Sequence, residues 1–246
     1  MIKSYCKINL SLRVLKKLKN GLHDIQSNTL LIDLHDIIKI HKINKKNDII
    51  IFTGEFRKLV NKLKNSVSET LFVLRNSGLI KKQYRYKIVV NKKVPVFGGL
   101  GGGTSNAFFL TKYFLKKKIN NYILRILEKK IGSDFSFFFK KQVYQKSLKN
   151  LKKYKKNFTF YFVLVYPNIK CSTKNIYSKV KEYSIPAKVD FSKIPSKERL
   201  LYLIRRENND LQKIVVSNFN ILRKILNFIS IQNGCYFSRM TGSGSV

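Results

Sequence analysis

The 246-residue chain has no tryptophan, four prolines and three cysteines, and none of its apolar runs is long. The cysteines, Cys6, Cys171 and Cys235, are far apart and match no metal-binding or redox spacing, which predicts reduced thiols and no disulfide framework. A membrane-spanning helix needs about 18–20 apolar residues, whereas the longest apolar run, 160–166, has the length of a buried strand. The chain leads from Met1 directly into a strand pattern, so we expect no signal peptide and a cytoplasmic protein.

Acidic residues are also scarce: 13 Asp and Glu face 50 Lys and Arg, which gives a net charge of +37. A chain this basic attracts polyanions, so a basic RNA-binding protein is one hypothesis. The lysines are spread from Lys3 to Lys224, however, and Asn, Ile, Phe and Tyr are abundant too. All of these residues have A/T-rich codons, so compositional bias explains the charge more simply, and we expect no specific nucleic-acid partner.

Glycine is sparse, with 12 residues in all, and five of these fall within residues 95–105. A strand-like run at 85–90 precedes this stretch, and a helix-like run at 106–115 follows it. Glycine-rich loops that open a helix are typical of phosphate sites, because bare N–H groups and the positive end of the helix face the anion. Thr104 and Ser105 are expected to cap the helix and to reach a phosphate or its Mg²⁺. The alternative is a flexible surface turn, since the loop has neither a Walker A lysine nor G-x-G-x-x-G spacing.

The periodicity of apolar residues predicts an α+β fold with a domain boundary near residue 150, inside a lysine-rich, weakly patterned segment at 140–158. Strands are predicted at 5–15, 27–34, 36–43, 49–53, 85–90, 158–166 and 234–240. Helices are predicted within 56–76 and at 107–118, 122–131, 174–181, 197–204, 211–215 and 219–232.

Three further motifs are ambiguous when each is taken alone. Lys7 lies on the first strand, where an alternating pattern normally directs lysine to solvent. Asp134, in the stretch Gly-Ser-Asp-Phe-Ser-Phe at 132–137, reads equally well as a turn or capping residue. The stretch Met-Thr-Gly-Ser-Gly-Ser at 240–245 reads as a tight turn.

Taken together, in this order, the motifs resemble those of the GHMP kinase superfamily, and most of all its 4-diphosphocytidyl-2-C-methyl-D-erythritol kinase family. The resemblance spans the whole chain and is most specific in the triple-glycine loop, the lysine strand and the Gly-x-Asp stretch. The matching segments are Cys-Lys-Ile-Asn-Leu at 6–10, Gly-Leu-His-Asp-Ile-Gln-Ser at 21–27, the glycine loop at 95–107, 132–137, Asn-Asp-Leu at 209–211 and the glycine turn at 242–245.

The resemblance implies a two-domain GHMP kinase fold of α+β class. A ribosomal-protein-S5-like, ATP-binding N-terminal domain would take residues 1–150, and a ferredoxin-like C-terminal domain residues 151–246. Family members continue beyond the glycine turn, so the C-terminal domain is expected to be shortened. The resemblance further implies an ATP-dependent small-molecule kinase of isoprenoid biosynthesis, a monomer or homodimer with no membrane partner.

The implied reaction moves the γ-phosphoryl group of ATP to the 2-hydroxyl of 4-diphosphocytidyl-2-C-methyl-D-erythritol. Asp134 would be the general base, and Lys7 would lie against Asp134 and stabilise the transferring charge. Four residues would bind substrate: Asn9, His23, Thr173 and Tyr177, with His23 at the cytosine edge and Tyr177 stacked on the ring. ATP would be held by Pro95, Val96, Phe97, Gly98, Gly99, Leu100, Gly101, Gly102, Gly103, Thr104 and Ser105, with Ser105 as a possible Mg²⁺ ligand.

The chain departs from the family pattern at several positions. Leu22 stands where the family has tyrosine, so the cytosine would lose one aromatic face. Phe135 and Ser136 replace a Val-Pro pair, and the glycine-rich hairpin usual after this stretch is absent. The alternatives left open are another GHMP-type kinase, such as a homoserine or mevalonate kinase, the basic RNA-binding protein, and a decayed relative that binds nucleotide without catalysis.

Overall fold

A computed structural model describes residues 1–116 and 119–246 of the chain. These residues form two compact units. The first unit contains Met1–Cys6, Ile32–Val96 and Gly101–Phe139, and the second contains Lys7–Leu31, Phe97–Leu100 and Lys140–Val246. Each unit is thus assembled from separate stretches of chain, and the division into 1–150 and 151–246 stays a prediction.

The described residues contain six strands in one sheet and seven α-helices. The strands are β1 Ile2–Lys17, β2 His23–Ile43, β3 Ile49–Thr53, β4 Arg85–Asn91, β5 Gln142–Ser147 and β6 Asn150–Lys153. The helices are α1 Ser66–Asn76, α2 Gly102–Leu115, α3 Asn121–Ile131, α4 Thr173–Ser178, α5 Lys197–Arg205, α6 Asp210–Asn218 and α7 Asn220–Ser230. Short 3₁₀ helices occur at Glu55–Leu59, Ser133–Phe139 and Phe191–Lys193. Among the described helices, none is both long enough and apolar enough to cross a membrane.

In the first unit, the second half of β2 pairs antiparallel with β4, and β4 pairs parallel with β3. Ile38 of β2 lies opposite Val90 of β4, and both are buried together with Ile88. This two-residue spacing is the reason that the sequence pattern located β3 and β4. The strands predicted separately at 27–34 and 36–43 form the single strand β2. The helices α1, α2 and α3 contact one another within the same unit.

In the second unit, Ser27–Leu30 of β2 pair antiparallel with β5, and β5 continues into a hairpin with β6. A buried apolar cluster joins β1 and β2 to α4, α6 and α7. Its buried members are Leu12, Val14, Ile25, Cys171, Ile176, Leu211, Val215, Leu222 and Met240.

Two predicted strands are wrong, and two observed strands were missed. Residues 158–166 and 234–240 form no strand, because an apolar run becomes a strand only where another strand pairs with it. Strands β5 and β6 lie in the lysine-rich segment, where buried Gln142 and Gln145 hide the apolar alternation. The helix predicted at 107–118 starts earlier and ends at Leu115, and residues 117–118 fall outside the described part of the chain.

A buried ion pair lies beneath the start of α2 in the first unit. Lys92 and Asp36 are only 3% and 0% exposed, and the Lys92 ammonium donates to the Asp36 carboxylate. The other Asp36 oxygen accepts the backbone N–H groups of Lys93 at 2.8 Å and Val94 at 2.9 Å. Asp36 therefore fixes the backbone that leads into the glycine loop.

Replacing Lys92 with methionine keeps the length of the side chain but leaves the buried Asp36 without its counter-charge. We expect Lys92→Met to lower the free energy of unfolding by about 3–5 kcal/mol, as is typical when one partner of a buried pair is removed. The matched control is Lys152→Met, which breaks a partly exposed pair with Asp190 and should cost about 0–1 kcal/mol. Urea unfolding of both variants measures the difference, and equal losses would contradict the structural role of the Lys92–Asp36 pair.

Candidate functional site

The glycine loop opens α2 without a side-chain cap. Gly101 is the N-cap residue, with a φ of 67°, and the helix begins at Gly102. The prediction that Thr104 and Ser105 cap the helix is therefore wrong, because both lie inside its first turn. The N–H groups of a first helical turn have no intrahelical partner, and those of α2 fit an anion such as a phosphate. Gly103 is solvent-exposed, so an anion has access to this end of the helix.

Ser105 has its hydroxyl group committed inside the fold. Its side chain is fully buried, and Oγ donates to the Tyr5 carbonyl oxygen at 2.6 Å and lies 2.7 Å from the Ser4 Oγ. These bonds fasten α2 to β1 within the first unit. The geometry does not fit the predicted Mg²⁺-ligand role of Ser105, and no group of three or more His, Cys, Asp or Glu in the described residues could hold a metal ion.

Within the second unit, the loop residue Gly99 packs directly against the glycine turn at 240–246, which we call the closing turn. Gly99 has a φ of 73°, and a Cβ atom there would lie 2.3 Å from the Thr241 carbonyl oxygen and 3.0 Å from the Gly244 nitrogen. A Cβ atom on Gly242 would in turn lie 2.8 Å from the Gly99 oxygen. The two glycine segments therefore meet backbone to backbone, which requires glycine on both sides.

Lys7 is buried, not solvent-facing as an alternating strand alone suggests. It is 4% exposed, and its Nζ donates to the Asn9 Oδ1 at 2.6 Å. The Asn9 Nδ2 donates to the Ser27 Oγ at 2.7 Å and the Thr29 Oγ1 at 3.0 Å. An ammonium group can only donate, so the amide oxygen of Asn9 must face Lys7, and the two hydroxyls hold the amide in that orientation. Asn9 thus sets the direction of the Lys7 amine.

Asp134 lies in the 3₁₀ helix that follows α3 in the first unit. Its neighbours Phe135, Phe137 and Phe138 are buried, whereas Asp134 itself is half-buried. Phe135 packs edge-on against Phe108 with ring centroids 5.4 Å apart, so this phenylalanine anchors the segment where the family has valine. The phenylalanines therefore fix the backbone that carries the Asp134 carboxylate. Because Lys7 belongs to the other unit, the pairing of Lys7 with Asp134 stays a prediction.

Three rings form an aromatic cluster in the second unit. The buried His23 ring lies 5.1 Å from the Tyr177 ring and 6.4 Å from the Tyr183 ring, at interplanar angles of 34° and 35°. Burial lowers the pKa of His23, and the nearby Lys17 lowers it further. The imidazole is therefore neutral at pH 7 and offers one donor and one acceptor nitrogen. Sequence reasoning missed Tyr183, because no local pattern links it to His23.

The remaining predicted substrate residue, Thr173, lies at the start of α4. Its Oγ1 is 2.9 Å from the Ser243 Oγ, which ties α4 to the closing turn. The structure therefore brings Asn9, Thr173 and Gly99 to the same turn within the second unit. It also brings Tyr177 to His23, while the role of the two rings in binding cytosine stays a prediction.

Comparison with known proteins identifies the family of the chain. No family model matches the chain. A 4-diphosphocytidyl-2-C-methyl-D-erythritol kinase from Pelagibacter ubique is 37% identical over 250 residues, covering 99% of this chain and 86% of that protein. The chain belongs to the 4-diphosphocytidyl-2-C-methyl-D-erythritol kinase family.

Solved structures confirm the fold expected for this kinase family. A crystal structure of 4-(cytidine 5'-diphospho)-2C-methyl-D-erythritol kinase matches with a TM-score of 0.67 and 19% identity, over 99% of this chain and 87% of that chain. The mevalonate kinase of Methanococcus jannaschii matches with a TM-score of 0.59 and 16% identity, over 99% of this chain and 87% of that chain. The predicted two-domain GHMP kinase fold is thus confirmed, while the roles of individual site residues stay predictions.

The contact between Gly99 and the closing turn can be tested with a matched pair of glycines. Gly78 has a φ of 70° with nothing within 4 Å of an added Cβ, so Gly78→Ala measures the backbone strain alone. That strain costs about 1–2 kcal/mol. Gly99→Ala adds a clash with backbone, which we expect to lower the free energy of unfolding by a further 1–3 kcal/mol or so and to raise the KM for ATP.

Urea unfolding and initial-rate kinetics on the two alanine variants measure both effects. Equal stability losses, with the KM for ATP unchanged in Gly99→Ala, would contradict the tight approach of the two segments.

Proposed function

We propose that this chain transfers the γ-phosphoryl group of ATP to the 2-hydroxyl of 4-diphosphocytidyl-2-C-methyl-D-erythritol, giving the 2-phosphate and ADP for isoprenoid precursor synthesis. The observation that carries the proposal is the aromatic cluster around a neutral, buried His23. A nucleobase needs ring faces to stack on and edge hydrogen bonds, whereas mevalonate and homoserine have no base. The 37% sequence identity to a kinase of this name, over 99% of the chain, supports the same substrate.

The phosphates of ATP would bind at the glycine loop. The open N–H groups in the first turn of α2 and the partial positive charge of the helix favour a polyanion there. We expect Mg²⁺ to enter as the Mg²⁺–ATP complex, in which it neutralises phosphate charge. Because the buried Ser105 hydroxyl is hydrogen-bonded to Tyr5 and Ser4, we expect phosphate oxygens and water to provide the ligands of Mg²⁺.

The chemistry would be shared between a carboxylate and an ammonium group. Asp134 would accept the proton of the 2-hydroxyl as that oxygen forms its bond to the γ-phosphorus. Lys7, oriented by the Asn9 amide, would stabilise the negative charge on the transferring group. Phosphoryl transfer depends mainly on such positioning and charge stabilisation. We further propose a cytoplasmic enzyme, a monomer or homodimer, with no specific nucleic-acid partner.

The first test measures ADP release from Mg²⁺–ATP with and without the proposed substrate. We expect substrate-dependent release, and we expect Asp134→Asn to lower kcat by about 10²–10⁴-fold, the usual contribution of a positioned general base. The matched control is Asp33→Asn, which removes a 93% exposed carboxylate and should leave kcat unchanged.

Parallel reactions with mevalonate and homoserine test the alternative acceptors. ADP release with either of these, and none with the cytidine compound, would overturn the proposed substrate. Near-normal turnover by Asp134→Asn would overturn its role as the base.

Tyr183 is expected to provide the aromatic contact that Leu22 does not. Stacking on a base contributes about 1–3 kcal/mol, which corresponds to a roughly 5- to 150-fold rise in substrate KM for Tyr183→Ala. Tyr183→Phe keeps the ring and should behave like the wild type. Tyr236→Ala removes a 67% exposed tyrosine of the same unit and serves as the control. An unchanged substrate KM in Tyr183→Ala would contradict this role, and the KM for ATP should stay constant throughout.

A further inference from the structure

Both the oxygen and the nitrogen of the Asn209 side-chain amide form hydrogen bonds at the start of α6. It is 3% exposed, and its Oδ1 accepts the Leu211 N–H at 3.0 Å, which caps the helix. Its Nδ2 donates to two carbonyl oxygens of the closing turn, those of Met240 and Gly242, each at 2.8 Å. One side chain therefore joins a helix terminus to two carbonyl groups two residues apart in the turn.

The choice of asparagine goes beyond what the cap requires. Serine, threonine and aspartate cap helices about as well as asparagine, because a cap needs only an oxygen acceptor. A side chain that also donates two hydrogen bonds from one nitrogen must be an amide of this length. The two donor bonds therefore indicate that Asn209 positions the closing turn in addition to capping α6.

The backbone segment that carries Asn209 is itself hydrogen-bonded to β1. The Leu12 N–H donates to the Asn208 carbonyl oxygen at 2.9 Å, and the Val14 N–H donates to the Asp210 carboxylate at 2.7 Å. The start of α6 therefore has a defined position relative to β1. Through its two hydrogen bonds, Asn209 holds the closing turn in a fixed position relative to the same strand.

The closing turn continues this connection to Lys7. The Thr241 Oγ1 accepts the Asn9 N–H at 2.7 Å, and the Asn9 Oδ1 accepts from the Lys7 Nζ at 2.6 Å. A Cβ atom added at Gly242 would lie 3.4 Å from the Asn9 Oδ1, so the turn passes close to that amide. A contiguous set of hydrogen bonds within the second unit thus leads from Asn209 through the turn and Asn9 to Lys7.

We propose that Asn209 is a positioning residue for phosphoryl transfer, acting through the closing turn and Asn9 on the Lys7 amine. The proposal rests on the proposed function for its catalytic consequence. Its structural part, that Asn209 sets the environment of Lys7, does not depend on the identity of the acceptor.

The test uses Asn209→Ser and Asn209→Asp, which keep the capping oxygen and remove both donors. We expect kcat to fall about 10- to 100-fold, because small misplacements at a reacting centre have effects of this size, with little change in the KM for ATP. Site-resolved reductive methylation provides a second readout. We expect the buried Lys7 amine to be methylated faster in both variants than in the wild type.

Thr241→Val keeps the shape of the side chain and removes the acceptor of the Asn9 N–H, so it should reproduce both effects if an Asn209 variant fails to fold. Combining it with Asn209→Ser should add little, because both changes act through one turn. The matched control is Asn120→Asp, at the cap of α3, where the side chain accepts the Ile123 N–H. This control should change neither kcat nor Lys7 methylation.

An unchanged kcat or an unchanged rate of Lys7 methylation in the folded Asn209 and Thr241 variants would overturn the proposal. If the wild-type protein releases no ADP with the cytidine substrate, the proposed function fails. The methylation rates then decide by themselves whether Asn209 positions Lys7.

Discussion

The candidate site of the second unit depends on the hydrogen bond between the Lys7 amine and the Asn9 side-chain amide. A lysine amine on a strand normally reaches solvent, and burial of its charge is unfavourable without a hydrogen-bond acceptor. The Asn9 oxygen supplies that acceptor, Ser27 and Thr29 fix the orientation of the amide, and Thr241 holds its backbone. Strand β1, strand β2 and the closing turn, which are distant in sequence, therefore meet at one residue, Asn9.

Glycine has two different physical roles in this fold. At Gly99 and Gly242 the absence of a Cβ atom lets two backbone segments touch, and positive φ angles shape the turns. At the start of α2 glycine leaves the first-turn N–H groups accessible to an anion. The glycine loop therefore combines an anion-accessible helix terminus with close backbone packing, and one substitution can affect both.

The aromatic cluster places two tyrosine rings near His23 although its sequence neighbour Leu22 has no ring. Leu22 is 46% exposed and has no ring, yet His23 lies near the tyrosine on α4 and a second tyrosine six residues later. A base site needs ring faces at suitable distances, whichever chain positions provide them. The buried histidine stays neutral, because a charged imidazole would lose its hydration and meet the positive field of Lys17.

The positions of β1, β3 and β4, of the helices of the first unit and of the glycine loop follow from the sequence, as does the family, because alternation, glycine clustering and motif order are local or sequential signals. Three features could be seen only in the folded chain: the burial of Lys7 against Asn9, the hydrogen bond of Ser105 to β1 in place of a cap on α2, and the position of Tyr183 near His23. The tertiary structure also decided that β5 and β6 form strands while residues 158–166 do not. The reason is physical: strand pairing, burial and hydrogen-bond partners depend on residues far away in the chain, which no local pattern encodes.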